Sequence, residues 1–216
     1  METASFNDIR QAVLSYDAVA AKSIAQRLVA SDVDAFEVIE QGLAPALKEV
    51  GAKFETGEIF LPHLMMAATA MEEAVTILET KLTATQKAHF SKATILLGTV
   101  EGDVHNIGKN IVGMMLKASG FTVIDVGVDV SVADFVARAE SEHADIIAVS
   151  ALMTFTMNQI STLIEYLNTN HLRDKYRVVC GGGALSAQWA RDMGTDGYAA
   201  DASKAVQLIE SLVAVG

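Results

Sequence analysis

From about residue 92 onward, short apolar runs rich in β-branched residues alternate with stretches of helical periodicity. The runs predict strands at 94–99, 122–126, 146–150, 177–180 and 197–199. The stretches between and after them predict helices at 107–119, 132–142, 157–168, 187–193 and 202–215. Nearly continuous apolar strands that alternate with helices are typical of a parallel sheet covered on both faces. We therefore expect an α/β fold with a flavodoxin-like, doubly wound sheet of five strands.

The chain before residue 88 shows a different pattern, with no strand-like run and with apolar residues spaced three and four apart. Helix breaks are expected at Tyr16-Asp17, at Ser31-Asp32, where Ser or Asp can cap a new helix, and at 55–58. The last helix is expected from about Leu61 to Leu82. We therefore expect a bundle of about four helices at 1–90, a polar connection at 83–91 and the α/β domain at 91–216.

Composition restricts the classes of partner and the environment. The chain has 216 residues and a net charge of −11, which argues against nucleic acid or an anionic membrane as the main partner, because both attract basic surfaces. The single cysteine, Cys180, excludes a disulfide framework and a cysteine-based zinc cluster. The N-terminus has no signal-peptide pattern, and no apolar run is long enough to span a bilayer. A cytoplasmic protein is the expectation.

Three polar or glycine-rich segments directly follow predicted strands. They are Gly102-Asp103-Val104-His105-Asn106-Ile107-Gly108-Lys109, the stretch 150–156, and Gly181-Gly182-Gly183. There are 41 residues between Gly108 and Ser150, and 28 between Leu152 and Gly181. The carboxyl ends of parallel strands lie at one edge of a sheet, where ligands of such folds bind. We expect the three segments to meet there.

His105 is the side chain in these segments that is best suited to bind a transition metal, because a neutral imidazole is a good ligand and a loop leaves it accessible. A ligating histidine usually donates its other ring N–H to a carboxylate, and Asp103 lies two residues earlier. An isolated Asp-x-His would more simply be a capping or solvent-facing pair. The two further motifs at fixed spacing favour the metal-ligand interpretation.

In residue type, order and spacing, the Asp-x-His-x-x-Gly, Ser-x-Leu and Gly-Gly motifs together resemble those of cobalamin-binding domains, and this similarity spans 92–216. The stretch from Gly57 to Ala68 resembles the helical cap of corrinoid methyl carriers, such as the methylamine corrinoid proteins and the cap module of cobalamin-dependent methionine synthase. The resemblance therefore covers almost the whole chain.

The resemblance implies a cobalamin or related corrinoid whose nucleotide base leaves the cobalt and enters a slot in the sheet, while His105 becomes the lower axial ligand of the metal. Thr156 matches the hydroxyl that extends the Asp103–His105 pair, and proton movement along the three would accompany changes in cobalt coordination. The implied cofactor-binding residues are Asp103, His105, Asn106, Ile107, Gly108, Ser150, Leu152, Thr154, Thr156, Gly181 and Gly182, together with Met65 and Met66 of the cap.

The function implied is that of a non-catalytic corrinoid subunit in a methyltransferase system. Co(I) would accept a methyl group from a substrate-specific methyltransferase, and methyl-Co(III) would pass it to a second methyltransferase that uses coenzyme M or a tetrahydropterin. A reductive activation protein is a further implied partner. The stretch 60–66 is most similar to the methylamine group, which implies methylamine metabolism and methanogenesis. A catalytic (β/α)₈ barrel of ~250 residues exceeds the chain, so the methyltransferases would be separate polypeptides.

Three alternatives are weighed against this function. The small cobalamin-binding subunit of an adenosylcobalamin-dependent mutase shares the Asp-x-His-x-x-Gly motif but usually lacks a methionine-bearing cap. A cobalamin-dependent regulator would need an effector domain, and no basic recognition helix is evident. A receiver-like domain without cobalamin would carry a phosphoacceptor Asp after its third strand, where this chain has Ser150.

Overall fold

A computed structural model describes residues 4–31, 33–83 and 92–214, which form two compact units. The first unit contains the described part of 1–91 together with 117–120, and the second contains 92–116 and the described part of 121–216. Most of the predicted connection at 83–91 lies outside the described residues. No helix among the described residues combines the length and apolar character needed to cross a lipid bilayer.

The first unit is helical, as the sequence predicts. Its elements are α1 (Phe6–Leu14), α2 (Ala18–Ala30), α3 (Ala35–Val38), a π-helical turn (Ile39–Leu43), α4 (Ala44–Glu55), α5 (Leu61–Leu78) and a 3₁₀ turn (Glu79–Lys81). Because α3, the π-helical turn and α4 follow one another without a break, the described residues of this unit form four helical segments. Their apolar faces supply a buried core that includes Ile9, Leu28, Leu43, Leu64 and Leu78.

The helix starts in this unit follow from capping side chains. Ser5 and Asp8 form a capping box at α1, and Asp17 accepts a hydrogen bond from the N–H of Ala20 at α2. Of the two residues predicted to cap the next helix, Ser31 and Asp32, Asp32 lies outside the described residues. The observed cap of α3 is Asp34, whose carboxylate accepts from the N–H of Phe36. Ser31 belongs to the end of α2, because both its N–H and its hydroxyl donate to the carbonyl of Arg27.

The second unit is the predicted α/β domain. Its strands are β1 (Thr94–Val100), β2 (Thr122–Val130), β3 (Ile146–Ser150), β4 (Arg177–Gly181) and β5 (Gly197–Ala199). Its helices are α6 (Ile107–Ala118), α7 (Val132–Ser141), α8 (Asn158–Thr169), α9 (Ala187–Asp192) and α10 (Ala202–Ala214). The strands are all parallel and lie in the order β2-β1-β3-β4-β5. This is the flavodoxin-like order, so the predicted fold class is confirmed.

The interior strand β1 is buried on both faces of the sheet, which accounts for its unbroken apolar run. Leu96 packs into one core with Phe135 and Ile147. Its neighbours Ile95 and Leu97 pack into the core on the opposite face. The strand order reverses between β1 and β3, and ligands of doubly wound sheets bind at the carboxyl ends of the strands at such a point.

Strand β2 differs from its prediction, because it continues four residues beyond Val126, to Val130. Its pairing with β1 shifts register twice, between Leu97 and Gly98 and between Gly98 and Val100. Gly127 and Asp129, with φ values of 91° and 56°, take left-handed conformations within this part of the strand. The prediction ends the strand before Gly127, although an isolated glycine within a strand pattern is also typical of a bulge, which is what the pairing with β1 shows here.

Gly98 tests how tightly β1 packs, because a Cβ there would lie 2.6 Å from Val126 Cγ2 and 2.7 Å from Phe135 Cζ. We expect Gly98→Ala to lower the free energy of unfolding by about 1–3 kcal/mol, since the buried Phe135 has no room to withdraw. Urea unfolding followed by circular dichroism measures the change. Gly108→Ala is the control in the same unit, because a Cβ at Gly108 meets no atom within 4 Å. Equal unfolding free energies for the two variants would contradict the packing argument.

Candidate functional site

The sheet brings the three predicted segments to one edge. Thr99 of β1 pairs with Ser150 of β3, and Ser150 pairs with Gly181 of β4, so the strand ends lie side by side. The N–H of Ala151 also donates to the carbonyl of Gly181 at 3.0 Å. The expectation that these segments meet therefore holds in the fold.

Asp103 is the side chain that joins the loop after β1 to the loop after β3, and it is completely buried. One carboxylate oxygen, Oδ1, accepts from the backbone N–H of His105 at 3.0 Å. The other, Oδ2, accepts from the backbone N–H of Leu152 at 2.7 Å and lies 3.2 Å from Thr156 Oγ1. Asp103 therefore fixes the start of the loop after β3 at Leu152, 49 positions later in the sequence.

The hydrogen bonds to Asp103 decide its charge. Burial by itself would raise the pKa of this carboxyl group. The backbone N–H groups of His105 and Leu152, followed by the side chains of His105 and Thr156, outweigh burial and lower the pKa to about 2. Asp103 is therefore an anion at any pH near neutrality.

His105 is oriented by this anion, because its Nδ1 lies 2.7 Å from Asp103 Oδ1. An ionised carboxylate only accepts hydrogen bonds, so Nδ1 carries a ring proton and donates it to Asp103. The side chain is about half exposed, at 48%. The contact therefore leaves Nε2 as the ring nitrogen that a metal can bind, because a neutral imidazole binds metals through the nitrogen that carries no proton.

Thr156 completes the predicted chain of contacts, although its hydroxyl has two acceptors within reach. Oγ1 lies 2.9 Å from the carbonyl oxygen of Met153 and 3.2 Å from Asp103 Oδ2. A hydroxyl has one proton, so the two acceptors compete for it. His105, Asp103 and Thr156 therefore lie in the predicted order, and the shorter contact of the hydroxyl is to its own loop.

Three glycines near the site differ in how closely other atoms approach them. A Cβ at Gly182, where φ is 127°, would lie 2.0 Å from the carbonyl oxygen of Ala151, and one at Gly181 would lie 3.0 Å from the carbonyl oxygen of Ala199. Close packing of the backbone therefore accounts for both of these glycines. A Cβ at Gly108 would meet no atom of the chain within 4 Å, so the open space beside it is available to a ligand.

The two loops around His105 expose an unusual amount of apolar surface. The large apolar side chains of Val104, Ile107, Leu152 and Phe155 are 68%, 74%, 45% and 71% exposed. Asn106 and Thr154 are also exposed on these loops. Concentrated apolar exposure on a loop pair marks a binding surface. With the accessible His105 nitrogen and the space at Gly108, this surface fits a large, flat cofactor that carries its own metal.

In the helical unit, the predicted residues lie on the first part of α5. Met65 and Met66 are 47% and 46% exposed, so their thioethers are accessible and not part of the core. His63 has a local role, because its Nδ1 accepts from the N–H of Phe60 at 3.2 Å and caps the helix.

Three polar residues that support the site were missed at the sequence level. Thr99 is completely buried and donates from Oγ1 to the carbonyl of His105 at 2.9 Å. Lys109 is also buried, and its ammonium group pairs with Asp125 on β2. Asp129 accepts from the N–H of Gly102 at 2.7 Å. A charged residue at a core-facing helix position could have indicated Lys109, and the isolated Gly127 within an apolar run could have indicated the bulge, but neither identifies the partner of Asp129.

Comparison with known proteins shows the family to which this chain belongs. Two protein-family models, each described as a B12 binding domain, match residues 93–207 and 5–79. A corrinoid protein of Desulfitobacterium hafniense (strain Y51) is 42% identical over 208 residues, which cover 96% of either chain. The dimethylamine corrinoid protein of Methanosarcina barkeri is 44% identical over 184 residues, 85% of either chain.

A solved structure agrees with these relatives. The crystal structure of the methanol:cobalamin methyltransferase complex from Methanosarcina barkeri contains a chain that is 29% identical, with a TM-score of 0.89. The match covers 98% of this chain and 80% of that one. The expectation of a cobalamin-type corrinoid as cofactor is confirmed by these comparisons. The chain belongs to the corrinoid protein family, whose cofactor is held by a B12 binding domain.

Proposed function

We propose that this protein is a corrinoid methyl carrier in which His105 is the lower ligand of the cobalt. The observation that supports this most directly is the buried, ionised Asp103 at 2.7 Å from His105 Nδ1, which leaves Nε2 free to bind a metal. When bound, the corrinoid supplies a cobalt that accepts and releases a methyl group. The chain holds the lower ligand at one tautomer and keeps the apolar loops around it open to the cofactor.

The remaining site residues have proposed roles that follow from their positions. Ser150 and Leu152 line the slot for the nucleotide base at the end of β3, and the backbone at Gly181 and Gly182 borders it. The full proposed set is Asp103, His105, Asn106, Ile107, Gly108, Ser150, Leu152, Thr154, Thr156, Gly181 and Gly182, with Met65 and Met66 from α5. We place the boundary between the helical module and the B12-binding module between residues 90 and 91.

Methylamines are the proposed source of the methyl group. This proposal is supported by the names of relatives, which include the dimethylamine corrinoid protein described above and a trimethylamine corrinoid protein of Methanosarcina acetivorans that is 37% identical over 205 residues. The proposed partners are a methylamine-specific methyltransferase, a second methyltransferase with coenzyme M or a tetrahydropterin as acceptor, and a reductive activation protein. A mutase subunit has weaker support, because the helical unit also aligns with the corrinoid proteins.

The ligand role of His105 is tested by His105→Asn, which removes the imidazole but retains an amide that can donate to Asp103. We expect the variant to fold and to bind cobinamide, a corrinoid without a nucleotide base, but to lose the axial nitrogen splitting in the electron paramagnetic resonance spectrum of Co(II). The matched control is His171→Asn, since His171 has a φ of 57° that asparagine tolerates. Nitrogen splitting that survives in His105→Asn would exclude His105 as the ligand.

The role of Asp103 is tested by Asp103→Asn. Whichever way the amide is turned, its NH₂ group faces the N–H of His105 or Leu152, so two donors oppose each other. We expect the free energy of unfolding to fall by about 1–3 kcal/mol and cobalt ligation by His105 to weaken about 10- to 100-fold. Glu165→Gln, at an exposed carboxylate of the same unit, should change neither quantity. Unaltered ligation in Asp103→Asn would contradict the proposed role.

The carrier function requires a transfer assay. We expect the cobalamin-loaded, reduced protein to take up an isotope-labelled methyl group from dimethylamine or trimethylamine in the presence of the matching methyltransferase, and to release it to a second methyltransferase. Methanol and a methoxylated aromatic compound, each with its own methyltransferase, serve as comparison donors. Uptake from these donors but not from methylamines would overturn the substrate assignment, and uptake from none would overturn the carrier function.

A further inference from the structure

The end of β2 is built differently from the other strand ends at the site. β1 pairs with β3 in constant register from Ile95 to Thr99, whereas its pairing with β2 shifts twice. Leu97 pairs with Asp125 and Val100 with Val130, so β2 contains two residues more than β1 over the same distance. Bulges of this kind re-aim side chains and are common beside functional sites. Here the extra length brings Asp129 to the loop that contains His105.

Asp129 makes a two-way contact with the start of that loop. Its Oδ1 accepts from the N–H of Gly102 at 2.7 Å, and its own N–H donates to the carbonyl of Asp103 at 3.0 Å. To make both bonds, Asp129 adopts a φ of 56°, a left-handed conformation that aspartate tolerates better than most residues. The carboxylate is on the exposed side of the strand and lies outside the buried core. The hydrogen bond of this carboxylate therefore holds the loop after β1 and is not part of the packing of the core.

The same segment of β2 also holds the other end of the loop. Asp125 Oδ2 pairs with the buried ammonium group of Lys109, and Asp125 Oδ1 accepts from the N–H of Gly127 at 2.8 Å. Between these ends, two hydrogen bonds to other described residues hold the backbone of His105. Its N–H donates to the carboxylate of Asp103, and its carbonyl accepts from the hydroxyl of Thr99. The position of His105 therefore depends on Asp103, and β2 contacts this part of the loop through Asp129, at the N–H of Gly102 and the carbonyl of Asp103.

We infer that Asp129 is a positioning residue that sets the tautomer and placement of His105 for cobalt ligation, an inference that rests on the proposed ligand role of His105. Removal of the Asp129 carboxylate frees the peptide of Gly102, while Leu152 continues to hold the carboxylate of Asp103. The loop then keeps its attachment to β3, while its attachment to β2 is reduced to the backbone bond from residue 129 to Asp103 and the Asp125–Lys109 pair. Asp103 and His105 shift relative to each other, and the Nδ1 contact weakens.

The chain contains a matched control at the opposite end of β1. Asp145 Oδ2 accepts from the N–H of Thr94 at 2.8 Å, and the N–H of Asp145 donates to the carbonyl of Thr94 at 2.9 Å. As at Asp129, the carboxylate accepts from a backbone N–H and the N–H of the same residue donates to a backbone carbonyl, but here at the edge of the sheet away from His105. Asp145→Ala therefore reports what such a contact contributes to stability alone.

The test compares the full-length variants Asp129→Gly, Asp129→Asn and Asp145→Ala. Glycine accepts the left-handed φ and removes the carboxylate, whereas asparagine accepts the same φ and keeps an oxygen acceptor. Nitrogen-15 NMR of the apoprotein gives the tautomer of His105, and the Co(II) spectrum of bound cobinamide gives the fraction ligated by histidine. Urea unfolding measures stability in parallel.

We expect Asp129→Gly to reduce the equilibrium constant for histidine ligation about 10-fold and to mix the two tautomers in the apoprotein, with Asp129→Asn close to the parent protein. Asp145→Ala should lose stability and keep the parent tautomer and ligation. Parent-like tautomer and ligation in Asp129→Gly, or an equal loss of ligation in Asp145→Ala, would overturn the inference alone. Absence of histidine ligation in the parent protein would overturn the proposed function and this inference together.

Discussion

The buried carboxylate of Asp103 is the group on which the arrangement of the site depends. It is completely buried, and four donors from two loops surround it, so its pKa falls to about 2 despite the cost of burial. A buried anion of this kind is tolerated only when its donors stay in place. The loops after β1 and β3 are therefore fixed relative to each other, and His105 takes its tautomer from the same charge.

Some features of the site are explained by packing within the chain, and others are not. Gly182 has to be a glycine because the backbone of Ala151 approaches too closely for any side chain. A Cβ at Gly108 would meet no atom of the described residues within 4 Å, and the side chains of Ile107 and Phe155 are 74% and 71% exposed. Exposed apolar surface of this kind is typical of a binding site, and a bound cofactor would cover it.

Much of the fold was predictable because burial imposes simple patterns. Strands covered on both faces need continuous apolar runs, and the runs at 94–99 and 146–150 agree with β1 and β3 to within a residue. Where a local signal has two possible partners, prediction was less accurate. Ser31 can cap a helix start or a helix end, and in the folded chain it ends α2 while Asp34 begins the next helix.

The sequence by itself determined the order and spacing of the motifs, and with them the alternation of elements, the parallel sheet and the pairing of Asp103 with His105, because these depend on neighbours along the chain. The tertiary structure decided which distant groups reach them. Leu152 holds Asp103 because β1 and β3 are adjacent, and Asp129 holds Gly102 because β2 bulges against β1. Such contacts depend on strand order and register, which are set by the packing of the whole sheet and not by any local pattern.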